Sequence, residues 1–410
     1  MVTVTPFKAL RPEPQLAKQV ASRPYDVLNS KEAKIEAQGN PNSFLHITKS
    51  EIGLPESTDI HSQEVYDKAK ENLSAFISRN ILFRENKPCY YIYRLTMDGR
   101  SQAGLVCGSS VDDYENGLIK KHEFTRPEKE KDRIDHMKTI GAQTGNVFLA
   151  YKNVDEIDAV INAWMKDKSP QYDLTADDGI QHTIWIVNDD ATIEKISHLF
   201  KTLVPATYIA DGHHRAASAA KVRKTLGEAA TENADYFLTT LFPSNQLAIM
   251  DYNRVITDLN GLSEADFFKK LDTKFTVEKV SDQYRPEAAH EFGLYLNQQW
   301  YRLTAKPKTF DASHPIEVLD VSILQNNLLD PVLGIKDQRT DKRIDFVGGI
   351  RGLDELEKRV DSGEMALAIS LYPVSIEQLF AVADSGEVMP PKSTWFEPKL
   401  RDGLLTHLLD

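Results

Sequence analysis

The stretch between residues 206 and 226 constrains the fold most, because an apolar strand pattern changes there to a helix pattern across one polar turn. Ala206–Ala210 is an apolar run typical of a buried strand. Residues 213–226 are rich in alanine and are predicted as a helix that ends at Gly227. A strand that leads directly into a helix is typical of α/β proteins, in which helices pack on a sheet.

The polar turn itself reads Asp211-Gly212-His213-His214-Arg215. The first turn of a helix presents backbone N–H groups and a partial positive charge, which together attract anions. Gly212 permits a sharp turn and a close approach of a ligand, and the two histidines add donors. Arg215 adds a planar fork suited to phosphate oxygens, and Asp211 is placed to orient a histidine or to contact a magnesium ion.

A plainer interpretation of the same turn stays open at this stage. His213 and His214 would then cap the helix, and Arg215 would form a salt bridge. The histidine pair alone is a poor metal site, because adjacent helical side chains diverge by about 100°. His122-Glu123 lacks the second histidine of a zinc-protease motif.

The rest of the chain also alternates between helix and strand patterns. A hairpin is predicted from strands at 89–95 and 101–109, with Asp98-Gly99 as the turn pair. Residues 1–30 are proline-rich and predicted as extended chain with turns. Further helices are predicted over 62–80, 125–141 (strongly charged and solvated), 155–166, 191–203, 263–275 and 375–386, and further strands over 182–187, 235–242, 246–250 and 365–371.

These patterns predict a mixed α/β fold without internal repeats. We expect a compact body formed by residues 1–84 and 181–410, with one inserted α/β subdomain over 85–180. With 61 acidic and 49 basic residues, the chain has a net charge of -12, which disfavours nucleic acid as a partner. Cys89 and Cys107 have no metal-ligand spacing and are expected to be reduced thiols. No signal peptide or membrane-spanning run is found, so the cytoplasm is the expected location and a membrane partner is not expected.

The turn at 211–215 carries a resemblance to the phosphate motif of the ParB/sulfiredoxin superfamily. Free-serine kinases of that superfamily carry Asp-Gly-His-His-Arg at this position, as this chain does. The whole sequence also resembles the bacterial domain-of-unknown-function family 1015. The segments that fit that family are Phe7–Asp26, Lys121–Glu123, Gly141–Thr144, Tyr208–Arg215, Leu241–Pro243, Asp341–Gly349 and Met389–Arg401.

The resemblance implies a ParB/sulfiredoxin-like core and phosphoryl transfer from ATP or ADP, with Mg²⁺, to a small hydroxyl compound such as free L-serine. Gly212, His213, His214 and Arg215 would then bind the nucleotide phosphates. The implied catalytic residues are Glu13, Asp211 and His214, with Asp211 also as the magnesium ligand. Glu13 stands one position earlier than the catalytic glutamate of the kinases.

Two further polar groups are candidates for substrate binding. His122 and Glu123 either face the substrate or form structural hydrogen bonds. Lys392, Ser393 and Thr394 form a polar loop before Trp395-Phe396, which either donates to phosphate or a substrate carboxylate or only anchors the C-terminal segment.

The function implied by the resemblance has one open alternative, a nucleotide-binding regulatory protein that does not transfer phosphate. Sulfinic acid reduction fits poorly because it requires a cysteine where His213 stands. The sequence leaves the oligomeric state and the choice of nucleotide open.

Overall fold

A computed structural model describes residues 1–125 and 127–410, so position 126 within the predicted helix 125–141 lies outside the described residues. The chain forms two compact units. The first consists of Met1–Leu247 together with Pro398–Asp410, and the second consists of Ala248–Glu397. Both combine helices with sheets, so the predicted mixed α/β class is confirmed.

The first unit contains thirteen described strands and nine described α-helices. The strands are β1 Val4–Thr5, β2 Leu10–Pro12, β3 Leu82–Arg84, β4 Tyr90–Met97, β5 Arg100–Ser110, β6 Ile119–Lys120, β7 Ala142–Gln143, β8 Val147–Tyr151, β9 Tyr172–Thr175, β10 Gln181–Val187, β11 Thr207–Asp211, β12 Tyr236–Pro243 and, at the end of the chain, β21 His407–Leu408. The helices are α1 Ala17–Val20, α2 Ser30–Glu36, α3 Leu45–Thr48, α4 Gln63–Ser78, α5 Val111–Glu115, α6 Pro127–Ile140, α7 Asp155–Asp167, α8 Asp190–Leu203 and α9 His213–Leu226.

The main sheet of this unit has the strand order β6-β11-β8-β12-β5-β4-β10-β9, with β1 paired to β5. Its ladders are antiparallel except for β11 with β6 and β12 with β8. The β4–β5 hairpin has the predicted turn, in which Asp98 and Gly99 both have positive φ. Such backbone twist matches the twist of paired strands, which explains why a two-residue signal was enough to predict the hairpin.

Helix α9 packs closely on this sheet because its inner face carries small side chains. Ala216 and Ala219 are buried in the same apolar cluster as Ile209 of β11 and Val147 of β8. Helices α7 and α8 contribute larger residues, including Ile157 and Phe200, to that cluster. The core therefore fixes the point at which β11 ends and α9 begins.

The N-terminal segment and the last residues of the chain meet beside the main sheet. Leu10 forms a backbone bridge with Thr406, and Ser22 forms another with Asp402. A second apolar cluster, which includes Phe44, Leu73 and Phe76, lies under α3 and α4. The two ends of the first unit are thus tied together through backbone hydrogen bonds.

The second unit is built on a six-stranded antiparallel sheet with the order β15-β17-β16-β19-β14-β18, together with the separate pair β13–β20. Its strands are β13 Ile249–Met250, β14 Tyr252–Ile256, β15 Phe275–Val280, β16 Glu291–Leu296, β17 Gln299–Ala305, β18 Ile344–Gly348, β19 Leu367–Leu371 and β20 Trp395–Phe396. Its α-helices are α10 Glu264–Leu271, α11 Asp320–Leu324, α12 Asp354–Asp361 and α13 Ile376–Ser385.

The division into units differs from the sequence-based one. Strands β4, β5, β8 and β9 come from the expected insertion 85–180, yet they pair with β10, β11 and β12 in one sheet. The compact unit that is inserted is Ala248–Glu397 instead. Strand pairing between distant segments decides this boundary, and local periodicity does not report it.

Most predicted elements recur with shifts of a residue or two, and two differ more. The strand predicted over 246–250 is reduced to β13. Helix α6 was expected to be solvated, but its Glu130, His136, Met137 and Ile140 are buried. Its charged face is accommodated because Glu130 forms a salt bridge with Lys221 of α9.

Both cysteines, Cys89 and Cys107, are buried free thiols, as predicted. Burial raises the pKa of the Cys107 thiol to about 12, which keeps it protonated and inert. Among the helices that the structure describes, none is both long and apolar enough to cross a bilayer.

Candidate functional site

The β11–α9 turn has the backbone geometry that a phosphate-binding turn requires. Gly212 adopts φ +98° and ψ 29°, a left-handed conformation that costs other residues energy. A side chain at Gly212 would also be crowded, because its Cβ would lie 3.0 Å from Nε of Arg215. The described residues provide no side-chain cap for α9, so its first turn is left to other acceptors.

Arg215 packs against this turn and is the central charge of the site. Its side chain is 9% exposed, with Nη2 3.5 Å from Oδ2 of Asp211 and 3.6 Å from Oδ2 of Asp26. Nη1 donates to the carbonyl oxygen of Asn146, whereas Nε is buried and finds no acceptor in the described part of the chain. Burial opposes the charge, but Asp26 and Asp211 outweigh it and raise the pKa of Arg215.

Asp211 ends β11 and contacts two cations. Nζ of Lys399 lies 3.2 Å from its Oδ2, on the oxygen that also faces Arg215. Burial favours the neutral acid, but Lys399 and Arg215 hold the pKa of Asp211 below its usual range. Asp211 is therefore an ionised carboxylate, and its negative charge is matched locally.

Behind Arg215 lies a second carboxyl group, that of Asp402. Asp402 is 2% exposed, and its Oδ2 is without a hydrogen-bond partner among the described residues. Burial raises the pKa of Asp402 to about 8, partly against the nearby Arg215 and with help from Asp26. This carboxyl group is therefore largely protonated near neutral pH, unlike Asp211.

The two histidines of the turn have different environments. His213 is buried and packs edge-on against His122, with ring centroids 4.6 Å apart at 89°. The backbone N–H of His122 donates to its Nε2 over 3.5 Å, and Glu123 lies 3.6 Å from its Nδ1. Burial and the neighbouring His122 lower the pKa of His213, so this ring is a neutral packing group. His214 is only partly buried.

His122 and Glu123 are thus brought to the turn, as the sequence suggested. Burial lowers the pKa of His122 to about 4, and its Nδ1 has no hydrogen-bond partner within the described residues. The contact with His213 supports the structural interpretation of His122, whereas Glu123 keeps a side chain that is 46% exposed. A role for Glu123 in substrate binding stays a prediction.

Glu13 lies in a different part of the first unit. It is close to Tyr172 of β9, whose hydroxyl donates to the carbonyl oxygen of Pro12 beside it. Five strands separate β9 from β11 in the sheet order. The catalytic role implied for Glu13 stays a prediction without a contact to the turn that supports it.

The loop Lys392–Thr394 belongs to the second unit. Lys392 has φ +57°, and its Nζ lies 5.6 Å from the centre of the Tyr252 ring. The Ser393 hydroxyl donates to the carbonyl oxygen of Pro390 over 2.7 Å, which is typical of a self-stabilised turn. Substrate binding by these three residues stays a prediction.

A family model matches residues 4–322, most of the chain, and its description is "Protein of unknown function (DUF1015)". The chain belongs to the DUF1015 family. This confirms the family resemblance seen in the sequence, and that family's description assigns no activity.

Curated relatives match this DUF1015 chain only over a short region. UvrABC system protein B of Herpetosiphon aurantiacus is 27% identical over 146 residues, which is 35% of this chain and 20% of that protein. The same protein of Dehalococcoides mccartyi is 27% identical over 151 residues, 36% of this chain and 21% of the relative. The DUF1015 chain thus spans about a fifth of the length of these relatives.

Solved structures with distant likeness cover more of the DUF1015 chain. A free serine kinase in complex with AMP is 13% identical, with a TM-score of 0.38, over 74% of this chain and 91% of that one. A conserved hypothetical protein from Pyrococcus furiosus has 14% identity and a TM-score of 0.36 (74% and 94% covered), and SbnI from Staphylococcus aureus has 12% and 0.37 (71% and 82%). Because every TM-score is below 0.5, none of them defines the fold or function of this chain.

The residues at the turn fit a phosphate group. The uncapped start of α9 provides backbone donors, and the buried Arg215 supplies an Nε whose hydrogen bond is unmade. For Mg²⁺, the fit is limited to one carboxylate, since Oδ2 of Asp211 already contacts Lys399 and Arg215. The described residues contain no cluster of three metal-binding side chains, and Mg²⁺ bound to nucleotides takes its remaining oxygens from phosphates and water.

The structure adds residues that the motif analysis did not single out. Asp26, Lys399 and Asp402 all surround Arg215 or Asp211, although they come from opposite ends of the chain. Asp26 and Lys399 fall inside segments that resemble the family, Phe7–Asp26 and Met389–Arg401, which was the available signal. Their meeting depends on the Ser22–Asp402 bridge, which no local pattern encodes.

A small cavity of about 30 Å³ lies next to the turn in the first unit. Its lining includes Tyr25, Arg133, Thr144, Gly145 and Arg215. That volume holds one or two water molecules, so a nucleotide has to bind outside it.

Proposed function

We propose that this DUF1015 chain is a nucleotide-dependent small-molecule kinase that phosphorylates free L-serine with ATP or ADP. The observation that carries the proposal is Arg215, a buried guanidinium beside an uncapped helix start with one N–H unpaired. Unmade hydrogen bonds of buried charges are costly, so such a group is expected to gain a partner when ligand binds. The identity of Asp211–Arg215 with the motif of free-serine kinases supports serine as the acceptor.

In this proposal the phosphates bind at the start of α9. Backbone N–H groups and the helix dipole stabilise the phosphate oxygens, and Arg215 balances charge that develops during transfer. Bound Mg²⁺ would neutralise phosphate charge, with Asp211 as its protein ligand. Asp211 holds Lys399 and Arg215 in place through its ion pairs.

The decisive experiment is incubation of the purified protein with L-serine, Mg²⁺ and either ATP or ADP, followed by detection of O-phosphoserine. We expect product with one nucleotide and loss of product in Arg215→Ala. Arg223→Ala is a matched control, because Arg223 is on the same helix but pairs with Asp112 and Asp235 at its far end. Activity that survives Arg215→Ala would contradict the proposed site.

A nucleotide-binding regulatory protein without transfer is the second candidate. It is favoured by one observation, the position of Glu13 beside Tyr172 and without a contact to the turn that would support catalysis. Thermal stabilisation by a nucleotide, without phosphoserine from either ATP or ADP, would select this candidate.

A further inference from the structure

The carboxylate groups around the turn differ in what they already bind. Oδ2 of Asp211 is shared by Lys399 and Arg215. Asp402 is buried with 2% exposure and has no path to a solvent-side substrate. Glu123 is directed at the imidazole of His213, 3.6 Å away. Neither an engaged nor a buried carboxylate is well placed to receive a proton from an incoming hydroxyl.

Asp26 differs from all three. It lies in a 3₁₀ turn, Tyr25–Val27, that follows Pro24, and the Ser22–Asp402 bridge fixes this turn beside α9. Its side chain is 38% exposed, and its single ion pair among the described residues is the 3.6 Å contact with Arg215. One face of this carboxylate therefore contacts the proposed phosphate-binding residue, while the other faces solvent.

We propose that Asp26, rather than Glu13, is the catalytic carboxylate that accepts the proton of the acceptor hydroxyl. This inference rests on the proposed kinase function. Its basis is proximity: Asp26 is anchored to Arg215, which touches the phosphate turn, whereas Glu13 is anchored beside β9. A general base has to lie within hydrogen-bond reach of its proton, so position is the first criterion.

The chemical step balances without any further reactant. The O–H bond of the acceptor breaks, and its proton moves to a carboxylate oxygen of Asp26. The hydroxyl oxygen forms a bond to the terminal phosphorus of the nucleotide, and the bond from that phosphorus to the bridging oxygen breaks. The electron pair of that bond stays on the nucleotide product, and Arg215 remains protonated throughout.

The test compares Asp26→Asn with a matched variant, Asp112→Asn. Asp112 also pairs with an arginine of α9, Arg223, but at the other end of the helix. We expect Asp26→Asn to lower kcat for O-phosphoserine formation roughly 100- to 10,000-fold, the range typical of general-base removal. KM for serine and thermal stabilisation by nucleotide should stay near wild type, and Asp112→Asn should keep its turnover.

Several outcomes would overturn this assignment. Full turnover in Asp26→Asn excludes it, and so does a rise in KM alone, which would identify Asp26 as a binding group for the amino acid. If Asp26→Asn does not fold, Asp26→Glu decides: reduced kcat with unchanged KM supports the role, and unchanged kcat contradicts it. A wild-type protein that forms no O-phosphoserine removes the kinase proposal together with this inference, whereas equal activity of wild type and Asp26→Asn removes only the inference.

Discussion

Each unit buries one arginine, and the two arginines are held in opposite ways. Arg215 in the first unit lies among Asp26, Asp211 and Asp402, and its Nε is left without an acceptor in the described residues. Arg254 in the second unit is fully buried, and all three of its nitrogens donate to neutral oxygens, those of Gln338, Tyr252 and Pro391. No acidic side chain that the structure describes pairs with Arg254.

The pKa values follow from these surroundings. Burial lowers the pKa of Arg254 to about 10, because no carboxylate offsets the loss of water. The pKa of Arg215 is raised, since its carboxylates outweigh burial. Arg254 has the pattern of a structural clamp with each nitrogen engaged, whereas Arg215 combines a matched charge with an unused donor. The first arrangement stabilises a fold, and the second suits a ligand.

The largest effect on stability is expected from Arg254→Met. This change leaves the carbonyl groups of Tyr252 and Pro391 and the Gln338 side chain without their buried donor, and each lost partner costs about 1–3 kcal/mol. We expect the free energy of unfolding of the second unit to fall by about 3–5 kcal/mol in urea titration. Arg339→Met is the control, because Arg339 is an exposed arginine paired with Asp337 and should matter little. Similar midpoints for both variants would refute the structural role of Arg254.

A smaller effect concerns Asp402 and the pH dependence of stability. Its pKa is raised from 3.8 to about 8 in the folded chain, so the unfolded chain loses this proton at lower pH. Stability contributed by protonated Asp402 is therefore fully present below about pH 4 and is lost as pH rises toward 8. Asp402→Asn should remove this loss, so the stability difference between variant and wild type should grow by up to about 1.4 kcal/mol per pH unit.

Urea unfolding at pH 5, 6 and 7 measures that difference. Other titrating groups, such as the buried His122 and His136, are common to both proteins and cancel to first order. A difference that stays constant over this interval would mean that Asp402 is ionised in the folded protein.

The smallest expected effect separates backbone strain from the position of Arg215. Gly212→Ala and Gly179→Ala both place a side chain at positive φ, +98° and +81°, at a cost of about 1–2 kcal/mol each. A Cβ at Gly179 meets nothing within 4 Å, whereas one at Gly212 displaces the Arg215 guanidinium. We expect similar losses of stability, but a weaker thermal shift with nucleotide only in Gly212→Ala. Equal thermal shifts would indicate that the guanidinium is not part of the phosphate site.

Local patterns predicted the elements around the turn well. Helix α9 has the predicted bounds, and β11 differs from its prediction by one residue at each end, because an apolar strand, a glycine and an alanine-rich helix are all short-range signals. Ser263 caps α10 as expected, through its hydrogen bond from Asp266. The same reasoning placed Arg215 and Asp211 at one anion site, which the geometry supports.

Long-range pairing decided what the sequence did not reveal. The inserted unit is 248–397 and not 85–180, since the β4–β5 hairpin joins β10 and β12 in one sheet. His213 was expected to donate to a ligand, but its ring is buried against His122, a residue of another segment. Asp26 and Asp402 are separated by most of the chain, so no spacing rule could bring them to one guanidinium.

The bridge between Ser22 and Asp402 has a consequence for how the protein is made. Lys399 and Asp402 follow the second unit in the chain, while β11, α9 and Asp26 precede it. Domains generally fold as they leave the ribosome, N-terminal parts first. During translation the guanidinium of Arg215 therefore waits beside Asp26 and Asp211 until the whole second unit has been synthesised, and the phosphate turn receives its last two side chains only then.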